Sequence, residues 1–162
     1  MTATYQKIIT TTLSTTPTDV TLSSIPATYT DLIIIINGSY TFGSGVDSFG
    51  IQANGDTGAN YSRLVLSGNG SAASSSTLTN GTKTLIGLLG AENTTNIIHI
   101  NNYSNTTTYK TFLCRANNAS NLVRLNVGTW RSTAAINSLV FTGEGNNFAS
   151  GSTFTLYGIK AE

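Results

Sequence analysis

The residues that could move protons, attack a carbonyl or hold a metal are few: one histidine (His99), one cysteine (Cys114) and seven carboxylates (Asp19, Asp31, Asp47, Asp56, Glu92, Glu144 and Glu162). His99 sits in NIIHIN. On a strand, Ile98 and Ile100 take the face opposite to it, so His99 points outward as an ordinary surface histidine, with no second ligand near it in sequence. The carboxylates form no local acidic pair, whereas glycoside hydrolysis needs two held about 5–10 Å apart. Cys114 shares a strand face with Phe112 and reads as a small core residue. A single cysteine excludes an internal disulfide and any cysteine-based zinc cluster.

Oxygen-rich and glycine-rich loops offer little more. NGDTGANYS (54–62) has the look of a weak calcium loop around Asp56, but lacks the alternating acidic ligands and terminal glutamate of an EF-hand, and a turn held by Asn and Asp side chains is the better reading. GSG at 43–45 and GNG at 68–70 lack the Lys-Ser/Thr that follows in a phosphate-binding loop. Asn-x-Ser/Thr triplets such as those at Asn60 and Asn105 are the chance product of the composition. No catalytic residue, cofactor or metal ligand is therefore assigned, and the chain is expected not to be an enzyme. The remaining candidates are tyrosines near strand ends, Tyr40, Tyr61, Tyr103 and Tyr109, joined for a glycan by Trp130. Aromatics there can stack on sugar rings or fill a partner's pocket; the competing reading is that they rim the core with only the hydroxyl wet.

The elements that must position these side chains are strands. No window carries apolar residues at helical spacing, and Thr, Val, Ile, Tyr and Phe are plentiful. Short apolar stretches alternate with Gly, Asn, Ser and Asp clusters roughly every ten residues, the rhythm of a sandwich or barrel. Strands are predicted at Gln6–Leu13, Asp19–Leu22, Asp31–Asn37, Ser48–Ala53, Ser62–Leu66, Thr82–Leu88, Asn96–Tyr103, Tyr109–Arg115, Leu122–Trp130, Ile136–Thr142 and Thr153–Ile159. DLIIIIN (31–37) is apolar on both sides and belongs in the centre of a sheet or under cover. Leu122–Val127 alternates, which predicts Val123, Leu125 and Val127 inward and Arg124 and Asn126 outward; a bulge near Gly128 is then needed to return Trp130 to the core. Asn37-Gly38, Asn54-Gly55, Asn69-Gly70 and Asn80-Gly81 predict tight turns with positive φ. Ser67–Asn80 (SGNGSAASSSTLTN) reads as a long exposed loop within one sandwich domain spanning 1–162.

Composition bounds the function classes. Among 162 residues, 9% are charged, 39% are hydrophobic, and Ser, Thr and Asn number 63. A net charge of +1 excludes nucleic-acid binding through bulk charge. The longest apolar run, Leu32–Ile36, is far short of the ~20 residues that cross a bilayer, and the first residues lack a secretory signal, so a soluble protein without a membrane partner is expected. Ordinary soluble domains carry roughly 25% charged residues. A surface of hydroxyls and amides packs against protein neighbours at little charge-desolvation cost, which fits a subunit of a large assembly.

The segment WRSTAAINSLVFTGEGNNFASGSTFTLYGIKAE (130–162) resembles the ending of small virion structural proteins of tailed bacteriophages. YQKIITTTL (5–13), IPATYTDLIIIING (25–38) and NGDTGANYS contribute to the same resemblance, whose most specific part is GSTFTLYGI (151–159). The resemblance implies a jelly-roll-like antiparallel β-sandwich, located in the virion and made in the host cytoplasm. It further implies a homotrimer that partners the major capsid protein or other virion proteins as an outer capsid decoration protein. The alternative is a tail-fibre or spike module that binds a host glycan. It transfers no catalytic residues. Inter-subunit contacts are expected from the first strand (5–13) and the tail 160–162.

Overall fold

A computed structural model describes residues 4–118 and 122–160. Fourteen strands run in chain order: β1 (Tyr5–Thr12), β2 (Asp19–Leu22), β3 (Asp31–Gly38), β4 (Val46–Asp47), β5 (Gly50–Ala53), β6 (Tyr61–Gly68), β7 (Ala73–Gly81), β8 (Thr84–Leu85), β9 (Leu89–Gly90), β10 (Thr94–Ile100), β11 (Lys110–Asn117), β12 (Val123–Trp130), β13 (Leu139–Thr142) and β14 (Thr153–Ile159). Every pairing is antiparallel.

Two sheets carry the architecture, ordered β1-β14-β3-β10-β11-β12-β6-β7 and β2-β13-β5-β8; β4 and β9 form a small ribbon. Within them lie two four-stranded halves, β1-β14-β3-β10 and β2-β13-β5-β8, and the chain passes between them at almost every connection. That is the jelly-roll order, with β5 and β8 adjacent in one sheet. Two hairpins inserted into this frame, β6–β7 and β11–β12, extend the first half to eight strands. Phe141 of β13 packs on Phe154 of β14 across the gap, ring centroids 5.3 Å apart, and Phe148 meets Phe154 edge-on at 5.3 Å.

The isoleucine strand behaves as its pattern demands. β3 lies centrally between β14 and β10, with Leu32, Ile34 and Ile36 in the core and Ile33 covered on the other face. Asn54-Gly55 forms the expected turn, both residues having positive φ (54° and 67°). Asn37-Gly38 does not: it continues β3, and glycine is needed at 38 because a Cβ would run into Ser152.

Two further expectations need correction. The stretch 67–80 is exposed but is not a long loop. It ends β6, turns at 69–72 and returns as the edge strand β7, with Asn69 Oδ1 accepting from Ser71 N and Ala72 N at 3.0 and 2.7 Å. Serine and threonine there pair their backbones with β6 without needing a buried face. The orientation of β12 is also the reverse of that predicted. Val123, Leu125 and Val127 face solvent, while Asn126, Gly128 and Trp130 face inward. Trp130 shares their parity, the ladder to β11 and β6 is unbroken, and no bulge is needed.

The physical reason lies in the segment 82–89, which crosses the inner face of the β11–β12–β6 extension. Before Leu89 enters β9, only Thr84 and Leu85 of it form a strand, so its carbonyls need donors. Asn126 Nδ2 donates to Ile86 O, and Arg63 Nη1 to Leu85 O at 3.0 Å. Asn96 takes both groups of Leu88, donating to its carbonyl at 2.7 Å and accepting from its N–H at 2.8 Å. Polar side chains point inward because an irregular backbone covers them, and the apolar side of β12 is left facing water.

Candidate functional site

The largest anomaly of the surface is this outward face. Leu64 and Leu66 of β6, Leu113 of β11 and Val123, Leu125 and Val127 of β12 are 37–65% exposed. Cross-strand register gathers them into rows. Leu113 lies opposite Val127, and Val127 opposite Leu64; Leu125 lies opposite Leu66. The only charged side chain on the outer face of β6, β7, β11 and β12 is Arg115, opposite Leu125. Beside the ridge, Thr95, Ile97, Arg115, Asn117 and Val123 border a dent of about 210 Å³. Contiguous apolar surface of this kind marks an interaction site more often than single exposed leucines do. Sequence reasoning missed it because alternation alone does not say which side is wet; the signal present was Trp130, whose parity matches Asn126.

The tyrosine candidates divide. Tyr40, Tyr61 and Tyr103 are at most 2% exposed and are core residues, so they cannot stack on a glycan. Each buries its ring and satisfies its hydroxyl on backbone: Tyr40 donates to Ser48 O (3.1 Å), Tyr61 to Asp56 O (3.1 Å) and Tyr103 to Pro26 O. Burial raises all three phenols, Tyr61 to about 12. Trp130, 2% exposed, stacks on Tyr61 at 6.5 Å. Tyr109 alone of the four is open, at 59%.

Asp56 is a structural anchor. Its carboxylate accepts from Trp130 Nε1 (2.6 Å), Asn60 Nδ2 (2.9 Å) and Gly58 N (2.8 Å). The indole hydrogen bond, with those from Asn60 and Gly58, holds its pKa below the usual carboxylate value. That is the turn reading of NGDTGANYS. His99 is half-buried on the outer face, between Ile33 and Leu113 in register. The Cys114 thiol is wholly buried and pushed up to about 12 by desolvation, which leaves it inert. Among the described residues no three of His, Cys, Asp and Glu gather where a metal could sit.

A second concavity, of about 310 Å³, lies where the 43–46 loop meets 90–94, bordered by Ser44, Val46, Glu92, Thr94 and Asn118. It offers hydrogen bonds and one carboxylate, with no second titratable group to act as acid–base partner.

No protein-family model matches the chain, and no curated protein matches it. Solved structures that match include a mutant alginate lyase in complex with an alginate tetrasaccharide, 10% identical over 95% of this chain and 81% of that one, with a TM-score of 0.33. Domains LG4-5 of the mouse laminin alpha1 chain match at 15% identity over 93% of this chain and 40% of that one, with a TM-score of 0.31. Likeness at this level carries nothing about what the chain binds.

Proposed function

We propose that the chain is a structural subunit of a tailed-phage particle, an outer capsid decoration protein that acts by binding and performs no chemistry. The observation that supports this most directly is the bare apolar face of β6, β11 and β12, set in a hydroxyl- and amide-covered exterior. A molecule built to stay apart from its neighbours covers such a face or charges it. The two edges of the large sheet support the same reading: among the described residues β1 and β7 each have a strand on one side only, which leaves the other row of backbone groups as a template for adding a neighbour's strand. β1 is the first strand from which inter-subunit contacts are expected; of the tail, 161–162 lie outside the described residues. The resemblance of 130–162 to virion proteins supports a phage particle as the assembly.

The test is co-sedimentation of purified protein with undecorated phage shells. Saturable binding at micromolar protein is the expected result. Absence of binding, together with adsorption to a host polysaccharide, would favour the glycan-binding fibre module instead, with Tyr109 and the 310 Å³ concavity as its remaining contacts.

A further inference from the structure

We infer that a second copy of this chain covers the outer face of β6, β11 and β12, giving a two-fold homodimer packed sheet on sheet. The inference deepens the assembly reading above and rests on it, with a homodimer in place of the homotrimer that the resemblance implies.

Area comes first. The six exposed leucines and valines present on the order of 500 Å² of surface, at the top of what a monomer ordinarily leaves bare. Thr95, Thr111, Asn117, Thr129, Ser75 and Thr77 surround them as a neutral polar rim. Together they reach the roughly 800 Å² per partner of a stable interface, apolar at its centre and polar at its margin.

Shape is the second argument. The ridge leucines of β6, Leu64 and Leu66, and the floor of the dent at Thr95 and Ile97 of β10 lie on opposite sides of the line between β11 and β12, with Leu113 and Val123 flanking that line. A two-fold axis along that line, parallel to the strands, lays β6 of each copy over β10 of the other. Leu66 then sits above the dent bordered by Ile97, and Leu113 meets Val127. Such an interface is isologous, so each ridge-to-dent contact is made twice. Sheets pack this way with their strands within about 30° of each other.

Charge is the third. A copy of the same face brings no acid and one arginine, and β10 adds the half-buried His99, level with Leu113. Arg115 falls opposite Leu125 beside the axis, where its stem adds apolar cover and its head must extend past the leucines to stay in water.

Sedimentation velocity at micromolar protein tests this: the expected mass is twice 17.0 kDa. Leu125→Asn and Leu66→Asn should each raise the dimer dissociation constant more than tenfold, with circular dichroism unchanged because neither side chain belongs to the core of the single chain, where they are 41% and 48% exposed. Thr77→Asn, on the rim, should leave it within about twofold. The pair Leu66→Cys with Ile97→Cys tests the register. Within one copy they lie three strands, about 14 Å, apart and cannot bond, so oxidation should give a covalent dimer. A wild type that stays monomeric at 100 µM overturns the inference; if that monomer still binds shells, the assembly reading stands. A trimer indifferent to Leu125→Asn, or a cysteine pair that never cross-links, also overturns it.

Discussion

On β12 the usual cost of a substitution is inverted, because Asn126 is buried and Val123 is 65% exposed. Asn126→Ala removes the donor from Ile86 O and leaves a buried carbonyl unpaired, which should cost about 1–3 kcal/mol in urea denaturation. Val123→Ser should stay within about 0.5 kcal/mol. The opposite ranking would restore the orientation that alternation alone suggests. Asn126 Oδ1, Thr84 Oγ1 and Arg63 Nε have no hydrogen-bond partner among the described residues, so this layer is satisfied on one side only. Asp56 makes the pH dependence. Its folded pKa is depressed by the Trp130 indole and its other donors, so the stability it contributes is present above the ordinary carboxylate value and is lost as pH falls through the folded pKa. Asp56→Asn should flatten the acid limb of a melting-temperature profile below about pH 4 and lower the plateau above it. An unchanged acid limb would remove Asp56 as its cause.

At the scale of elements, glycines mark where backbone meets the core. Gly87 faces Phe49, and a Cβ there would lie inside the ring. Phe49 is wholly buried and held by Phe141 and Phe148, with centroids 6.2 and 6.4 Å away, so it has nowhere to move. Gly87→Ala should therefore cost about 1–3 kcal/mol by overpacking, while Gly68→Ala, facing open space, should cost less than about 1 kcal/mol. Equal costs would show that Phe49 yields. How legible each element is in the sequence follows from what decides its placement. Strand β3 is plain because four isoleucines demand cover on both faces. The Asn54-Gly55 turn is plain because both residues tolerate positive φ. Strand β7 is hidden: ASSSTLTN lacks an apolar face, and only pairing with β6 makes it a strand. The segment 82–88 looks like a full strand but is mostly irregular, and its carbonyls set which side of β12 is dry. That depends on a partner far away in sequence, as does the burial of Tyr40, Tyr61 and Tyr103, whose hydroxyl acceptors a local pattern does not reveal.

For the whole molecule, scarcity of charge decides how assembly should respond to solvent. Among the described residues one ion pair forms, Lys83 Nζ to Glu144 Oε1 at 2.5 Å, and the net charge is +1. Partners that meet through charge lose affinity steeply as the Debye length shrinks from about 30 Å at 0.01 M salt to about 3 Å at 1 M. Partners that meet through leucine, valine, hydroxyl and amide groups do not, since burying apolar surface is not screened. Binding to shells should accordingly change by less than about threefold between 0.05 and 0.5 M sodium chloride, and should strengthen in sulfate, which favours burial. The same titration on Leu66→Asn separates its two possible origins. Lost binding at every salt concentration places the shell contact on the dimer or on the face that forms it. Retained binding with lost dimerisation assigns the shell to the open edges of β1 and β7. A tenfold or greater loss of wild-type binding across the salt range would show that charge carries the contact, and that the neutral exterior is not what docks.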